Sequence, residues 1–155
     1  MTEPESDFGP LVRTSLRVLT WNLWWRFGPW EKRAAAIERI LAEAQPDIVA
    51  LQEVWAEPHG RAQADELGAR LGLHAVFSSD LEIHGVRFGN AVLSRWPIES
   101  HESIPLPSLD VPDERRVALR ADVAGPRGPL QVFCTHLNWR FDQSHVRQAQ
   151  LSALA

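Results

Sequence analysis

The chain has a single cysteine, Cys134, among 155 residues, so an intrachain disulfide framework is excluded. It has no tyrosine, one methionine and one lysine, Lys32. No run approaches the roughly 18 apolar residues that a membrane-crossing helix needs. The start, Met1 to Pro10, is polar and acidic, without the basic-then-apolar order of a signal peptide. These absences predict a cytoplasmic setting with no transmembrane segment. Positive charge is short as well: the net charge is −4, which gives no bulk attraction toward nucleic acid.

What remains is ordinary globular material. Hydrophobic residues are 45% and charged residues 23%, enough apolar content for one buried core and too much for a disordered chain. With one lysine among sixteen basic residues, the other fifteen are arginine, the better bidentate ligand for phosphate. Seven residues are tryptophan, and four of these fall between Trp21 and Trp30.

Residues 1–15 read as a flexible tail broken by Pro4, Gly9 and Pro10. Leu16 to Leu23 reads as a strand with Leu16, Val18, Thr20 and Asn22 on one face. Trp30 to Ala44 reads as a helix, because Ile37, Ile40, Leu41 and Ala44 recur at helical spacing; Pro46 stops it. Ile48–Leu51 is a short apolar run of the kind buried on both faces. A second helix is expected over Arg61–Leu71, then strands at His74–Ser78 and Asn90–Ser94, and a weak one at Ile98–Ile104. Pro105 to Glu114 reads as a loop. Val117, Leu119, Ala121 and Val123 alternate with Ala118, Arg120 and Asp122 as a half-buried strand. Leu130, Val132, Cys134 and His136 share the face of another strand, and a helix is expected from Ser144 onward. Strands outnumber helices and the later ones look like hairpins, which gives an α+β class.

Three polar spots end apolar strands: Asn22, then Gln52-Glu53, then His136 with Asn138. Strand ends converge on the rim of a sheet, where a rigid scaffold often carries function. A glutamate there suits a hard cation such as Mg2+, which takes one or two carboxylates and keeps several waters. An asparagine and a histidine nearby suit a phosphate or a metal-bound water, and metal-assisted hydrolysis is the corresponding chemistry. Taken singly, each residue also has a plain reading: Glu53 as a solvated strand end, Asn22 as a turn former, His136 as a satisfied core histidine.

The order of the segments carries a resemblance. It runs Thr20-Trp21-Asn22-Leu23, Pro46-Asp47-Ile48-Val49-Ala50-Leu51-Gln52-Glu53-Val54, Gly89-Asn90-Ala91-Val92-Leu93-Ser94-Arg95, Thr135-His136-Leu137, and Arg147-x-x-Gln150-Leu151. From about Leu16 to the end, residues 16–155, it resembles the N-terminal portion of one domain of the endonuclease/exonuclease/phosphatase superfamily, deoxyribonuclease-like proteins among them. The resemblance implies a four-layer α/β/β/α sandwich and Mg2+-dependent phosphoester hydrolysis, with Mn2+ as a substitute ion. It implies that Glu53 binds the metal, that Asn22 lies near metal and phosphate, and that His136 contacts the scissile phosphate. Asn138, two residues on, is a weaker candidate for the same pocket. It implies a packing part for Asn90, Ser94, Arg147 and Gln150. The substrate implied is a phosphoester, nucleic acid being one choice.

The family pattern continues with Asp-x-Asn and Ser-Asp-His motifs, neither of which follows His136 here. The expectation is therefore an incomplete sandwich with the second sheet largely absent and half of the active site. The sheet face carrying Leu130, Val132 and Cys134, or its reverse, is then expected to lack a cover, and the chain to self-associate or aggregate through it. A truncated, non-catalytic relative acting as a binding module is the alternative reading.

Trp24, Trp25 and Trp30 stay open between core packing and an aromatic rim for a base or lipid; Trp21 reads as core. Cys134 reads as an inert buried thiol, His59, His74, His84 and His101 as scattered surface residues, and Arg115-Arg116 as a solvated loop end.

Overall fold

The computed structural model describes residues 15–155, the side chain of Asp80 aside. Of the flexible tail expected over residues 1–15, all but Ser15 lies outside the described residues. The elements run β1 (Val18–Asn22), α1 (Trp30–Ala44), β2 (Ile48–Ala56), α2 (Gln63–Leu71), β3 (His74–Ile83), β4 (Val86–Ser94), β5 (Ile98–Leu106), β6 (Arg116–Gly125), β7 (Gly128–Thr135) and α3 (Ser144–Ser152). One sheet has the order β1-β2-β4-β3 and the other β5-β6-β7.

Strand alternation decides what each face of the first sheet meets. Val49, Leu51, Ala91 and Leu93 turn toward the helices, where Ile37 and Leu41 of α1 and Ala64 and Leu67 of α2 close a core. Ile48, Ala50 and Val92 turn the other way and pack on Leu119, Ala121, Val123 and Cys134 of the second sheet. Two sheets lie face to face with α1 and α2 outside, which is the expected sandwich. The second sheet is more complete than expected: three of its strands are present, and Cys134 is covered by the first sheet at 1% exposure. Burial pushes the Cys134 thiol up to about 11, so it is inert at neutral pH.

The reverse face of the second sheet is mostly polar where β5, β6 and β7 pair, with Phe133 exposed at 44% beside Arg120. Arg120 bridges Glu102 and Asp122, and Asp122 also accepts hydrogen bonds from Ser100 and Gln131. Among the described residues that reverse face has no layer over it, and further apolar surface is open at a flank. β7 lies over β2 and β4, β6 over β4 and β3, and β5 over β3, so the edge strand β1 stands beside this overlap rather than under it. Val18, paired with Ile48 and on the same side as it, is 59% exposed, and Leu16 is 47% exposed.

α3 docks at the end of the second sheet. Its Gln150 amide donates to the Pro107 carbonyl and to Asn138 Oδ1, and its Arg147 donates to the Asn138 and Arg140 carbonyls. Both residues pack, as expected. Among the described residues no helix is long and apolar enough to cross a membrane.

Candidate active site

The site is built where β2 loses its register. β2 pairs with β4 through Leu51↔Ala91 and resumes at Val54↔Gly89, a bulge that inserts an extra residue between them. Glu53 sits in it with φ +53°, a left-handed conformation that costs a non-glycine residue about 1–2 kcal/mol. The bulge explains where the side chains go. Leu51 and Val54 both reach the helix-side core, so Gln52 and Glu53 between them are both free to turn from it. The Gln52 amide reaches Thr20 Oγ1 at 3.1 Å and Cys134 Sγ at 3.4 Å. Glu53 meets Asn22, whose Nδ2 donates to its Oε1 at 2.7 Å. Glu53 is thus not at a strand end, as the short apolar run suggested, but inside a longer strand that the bulge re-aims.

Asn22 is held from its other side too. Its Oδ1 accepts the Trp24 backbone N–H at 2.8 Å, an Asx turn that starts the loop after β1. Trp24 and Trp25 both have positive φ there. Arg33 of α1 satisfies the loop, donating to the carbonyls of Leu23, Trp24, Trp25 and Phe27 at 3.1–3.2 Å. The amide of Asn22 therefore orients Glu53 with both of its polar atoms engaged.

His136 follows β7 and brings Nδ1 to 3.9 Å from Glu53 Oε1. Arg116, the first residue of β6, stands closer, with Nη1 3.2 Å from that same nitrogen. A guanidinium only donates, so Nδ1 accepts and the proton of the neutral ring sits on Nε2. Burial pushes the His136 pKa below the ordinary imidazole value, and the Arg116 charge pushes it the same way; Glu53 and Glu114 pull upward less strongly. The ring is neutral at pH 7 and offers an Nε2–H donor. Phe88 backs it at 6.4 Å between centroids, and Arg116 is itself paired with Glu114 at 2.6 Å.

Arg116 is the residue the sequence reading missed. Its place beside an acidic loop suggests a solvated loop end, yet its side chain is 9% exposed and faces His136. Its signal was its place at the head of an alternating strand that ends at the same rim. Arg116→Met should raise the midpoint of the His136 Cε1 proton in an NMR titration of metal-free protein; an unchanged midpoint would remove Arg116 from this role. Because the folded chain binds this proton more weakly than the unfolded one, stability is full above pH 6.5, the ordinary value, and declines as pH falls through it.

The structure brings Asn22, Glu53 and His136 together and sets Asn138 to other work. Asn138 is 2% exposed; its Nδ2 donates to Gln143 and its Oδ1 accepts from Gln150. Its amide is spent in holding the loop before α3. The tryptophans divide. Trp25 is 8% exposed, donates its indole N–H to the Arg87 carbonyl at 3.1 Å, and packs near Phe88 behind His136. Trp30 meets Trp55 edge to face with Arg26 over both rings. Trp24 is 53% exposed with Arg33 over its ring.

The donor set fits a hard divalent cation. Glu53 supplies a carboxylate oxygen held by the Asn22 amide at 2.7 Å. A carboxylate oxygen is the hard donor such an ion takes.

The comparisons with known proteins agree with this fold. The chain is 32% identical over 160 residues to the uncharacterized protein YbhP of Escherichia coli K12, covering 91% of this chain and 59% of YbhP. Its fold matches an endonuclease/exonuclease/phosphatase from Beutenbergia cavernae with a TM-score of 0.73 and 26% identity, over 88% of this chain and 42% of that one. It matches the human Nocturnin catalytic domain with a TM-score of 0.73 and 27% identity, over 90% of this chain and 55% of that one. The chain thus spans about half the length of the solved structures it matches. The family model for the endonuclease/exonuclease/phosphatase family matches residues 19–155. Motif order, a two-sheet sandwich and a rim that joins Asn22, Glu53 and His136 lead to one conclusion: the chain belongs to the endonuclease/exonuclease/phosphatase family.

Proposed function

We propose that this protein serves Mg2+-dependent hydrolysis of phosphoester bonds, with Mn2+ as a substitute ion, in a cytoplasmic setting. One observation carries the reading: a carboxylate fixed by an asparagine, 3.9 Å from a neutral histidine that an arginine orients. Glu53 holds the ion, and Asn22 keeps the carboxylate aimed. The bound ion supplies charge neutralisation at the phosphoryl oxygens. His136 donates Nε2–H to a non-bridging oxygen, and Arg116 adds positive charge behind it, where negative charge grows as water attacks phosphorus in line; the ester P–O bond opposite breaks, the leaving oxygen takes up a proton from solvent, and the attacking water gives one up to solvent. Removing such a donor typically lowers turnover by about 10²–10³. The Nocturnin catalytic domain is described with a bound sulfate anion, a tetrahedral oxyanion like the phosphate proposed here. The substrate is a phosphodiester or phosphomonoester, nucleic acid included.

The test is hydrolysis of bis-p-nitrophenyl phosphate and p-nitrophenyl phosphate by the chain, with EDTA removal and Mg2+ return. Turnover that EDTA abolishes and Mg2+ restores supports the proposal. Turnover indifferent to EDTA overturns the metal role. Phosphate binding with no turnover moves the reading to a non-catalytic binding relative. We also propose self-association of the chain through the flank at β1, because Leu16 and Val18 expose apolar surface on the sheet side that elsewhere faces the sandwich interior.

A further inference from the structure

Arg33 is the fourth residue of α1, near the end where positive charge works against the helix dipole. Its guanidinium is turned to the loop after β1 instead. Nε donates to the Leu23 carbonyl, and Nη2 reaches those of Trp24, Trp25 and Phe27, all at 3.1–3.2 Å. The two hydrogens of Nη2 meet three acceptors, so at least one is shared. The same guanidinium lies 5.1 Å over the Trp24 ring.

The amides of that loop go to the site. Leu23 donates its N–H to the Gln52 carbonyl at 2.9 Å, Trp24 to Asn22 Oδ1 at 2.8 Å, and Trp25 to the Glu53 carbonyl at 2.9 Å. Three consecutive residues thus give their amides to Asn22 and the β2 bulge, and their carbonyls to Arg33. The backbone that does this is strained. Trp24 and Trp25 stand at φ +61° and +41°, and Glu53 at φ +53°. Residues other than glycine rarely adopt such values, which persist only where the surroundings over-determine them. Arg33 supplies that constraint from the helix side.

Without the guanidinium, the four carbonyls lose their common donor, and Trp24 and Trp25 relax toward ordinary φ. That rotation takes the Trp24 amide from Asn22 Oδ1 and the Trp25 amide from the Glu53 carbonyl. Asn22, whose Nδ2 aims Glu53 Oε1 from 2.7 Å, then loses the anchor on its other side. We infer that Arg33 is a positioning residue for the cation site and sets, through this loop, how tightly Glu53 takes a divalent ion. The inference rests on the metal role proposed for Glu53. Charge alone predicts the opposite sign, because removing a positive group from the neighbourhood of a cation should tighten its binding.

The test is Mn2+ titration of the chain, followed by the electron paramagnetic resonance signal of the free ion. Arg33→Met and Arg33→Lys are each expected to bind Mn2+ about tenfold more weakly than wild type, the lower end of what losing an outer partner of a metal ligand costs. The lysine keeps the charge and loses the planar fork, and it decides the matter if circular dichroism shows Arg33→Met unfolded. Leu67→Ala, in the core on the helix side, is the control: its melt should fall while its Mn2+ affinity stays that of wild type. In metal-free protein the Asn22 side-chain amide protons, followed by NMR, should exchange with water faster in both Arg33 variants and not in Leu67→Ala. Mn2+ affinity unchanged or tighter in a folded Arg33 variant, or Asn22 exchange indifferent to it, overturns the inference and leaves Glu53 as the metal ligand. A loss of affinity in Leu67→Ala as large as in the Arg33 variants overturns it too, since general loosening then accounts for both. A wild-type chain that takes up no Mn2+ overturns the metal reading and the inference with it.

Discussion

Adding Mg2+ or Mn2+ should raise the melting temperature of the chain, and Glu53→Gln should abolish that rise. An ion that binds only the folded state stabilises it by mass action, by about 2.7 kcal/mol at one hundred times its dissociation constant. For a domain of this size that is roughly 5–10 °C. The substitution is well matched to the question. The replacing glutamine keeps an oxygen for the Asn22 amide and fits the same bulge, so the metal-free melt should stay within a few degrees of wild type. What it loses is the negative charge, and with it the cation. In a complete protein the same change should lower metal-dependent turnover by about three orders of magnitude, because the carboxylate proposed to hold the ion at the phosphoryl oxygens is gone. A wild-type melt indifferent to both ions, or a Glu53→Gln variant that still responds, would show that Glu53 does not hold the metal.

The bulge that makes this site possible was the least legible part of the sequence. Ile48–Leu51 announces a buried strand by its apolar run, but nothing in Gln52-Glu53 announces that pairing resumes after them. A left-handed backbone is normally advertised by glycine, and here glutamate takes it. The hairpin from β3 to β4 was hidden for a related reason. His84 and Gly85 both have positive φ, and histidine at the first of these positions is a weak turn signal. Helix α1 shows the opposite case: its apolar stripe and the following Pro46 gave both ends, because periodicity is a local property. β5 ran past the expected end because an edge strand tolerates Pro105, which has no amide to pair. Of the site, Asn22, Glu53 and His136 were legible as polar residues closing apolar runs. Arg116 and the commitment of Asn138 were not, because each depends on residues distant in sequence: His136 for one, Gln150 of α3 for the other.

Purified at micromolar concentration, the chain should run in light scattering at about 35 kDa or above, twice its mass of 17.5 kDa or more. Among the described residues β1 is an edge strand, paired with β2 alone. Its sandwich-facing side carries Leu16 and Val18 at about half exposure. Beyond them a cavity of about 210 Å³ runs from Leu16 to Trp96, Pro129 and Leu130, carrying apolar surface across to the second sheet. β7 is the edge of that sheet on the same side. A second copy related by a two-fold axis would set β1 antiparallel to its mate, pairing the open edge and covering Val18 at once, and such a contact closes on itself rather than growing. Val18→Lys with Thr20→Lys tests this, because charged residues on an edge strand block pairing and both positions are already exposed, so the fold should survive. The double variant is expected at 17.5 kDa with an unchanged circular dichroism spectrum. A wild-type chain that is monodisperse at 17.5 kDa and melts sharply would show that the flank at β1 is tolerated in water. Association that persists in the double variant would place the contact on another surface.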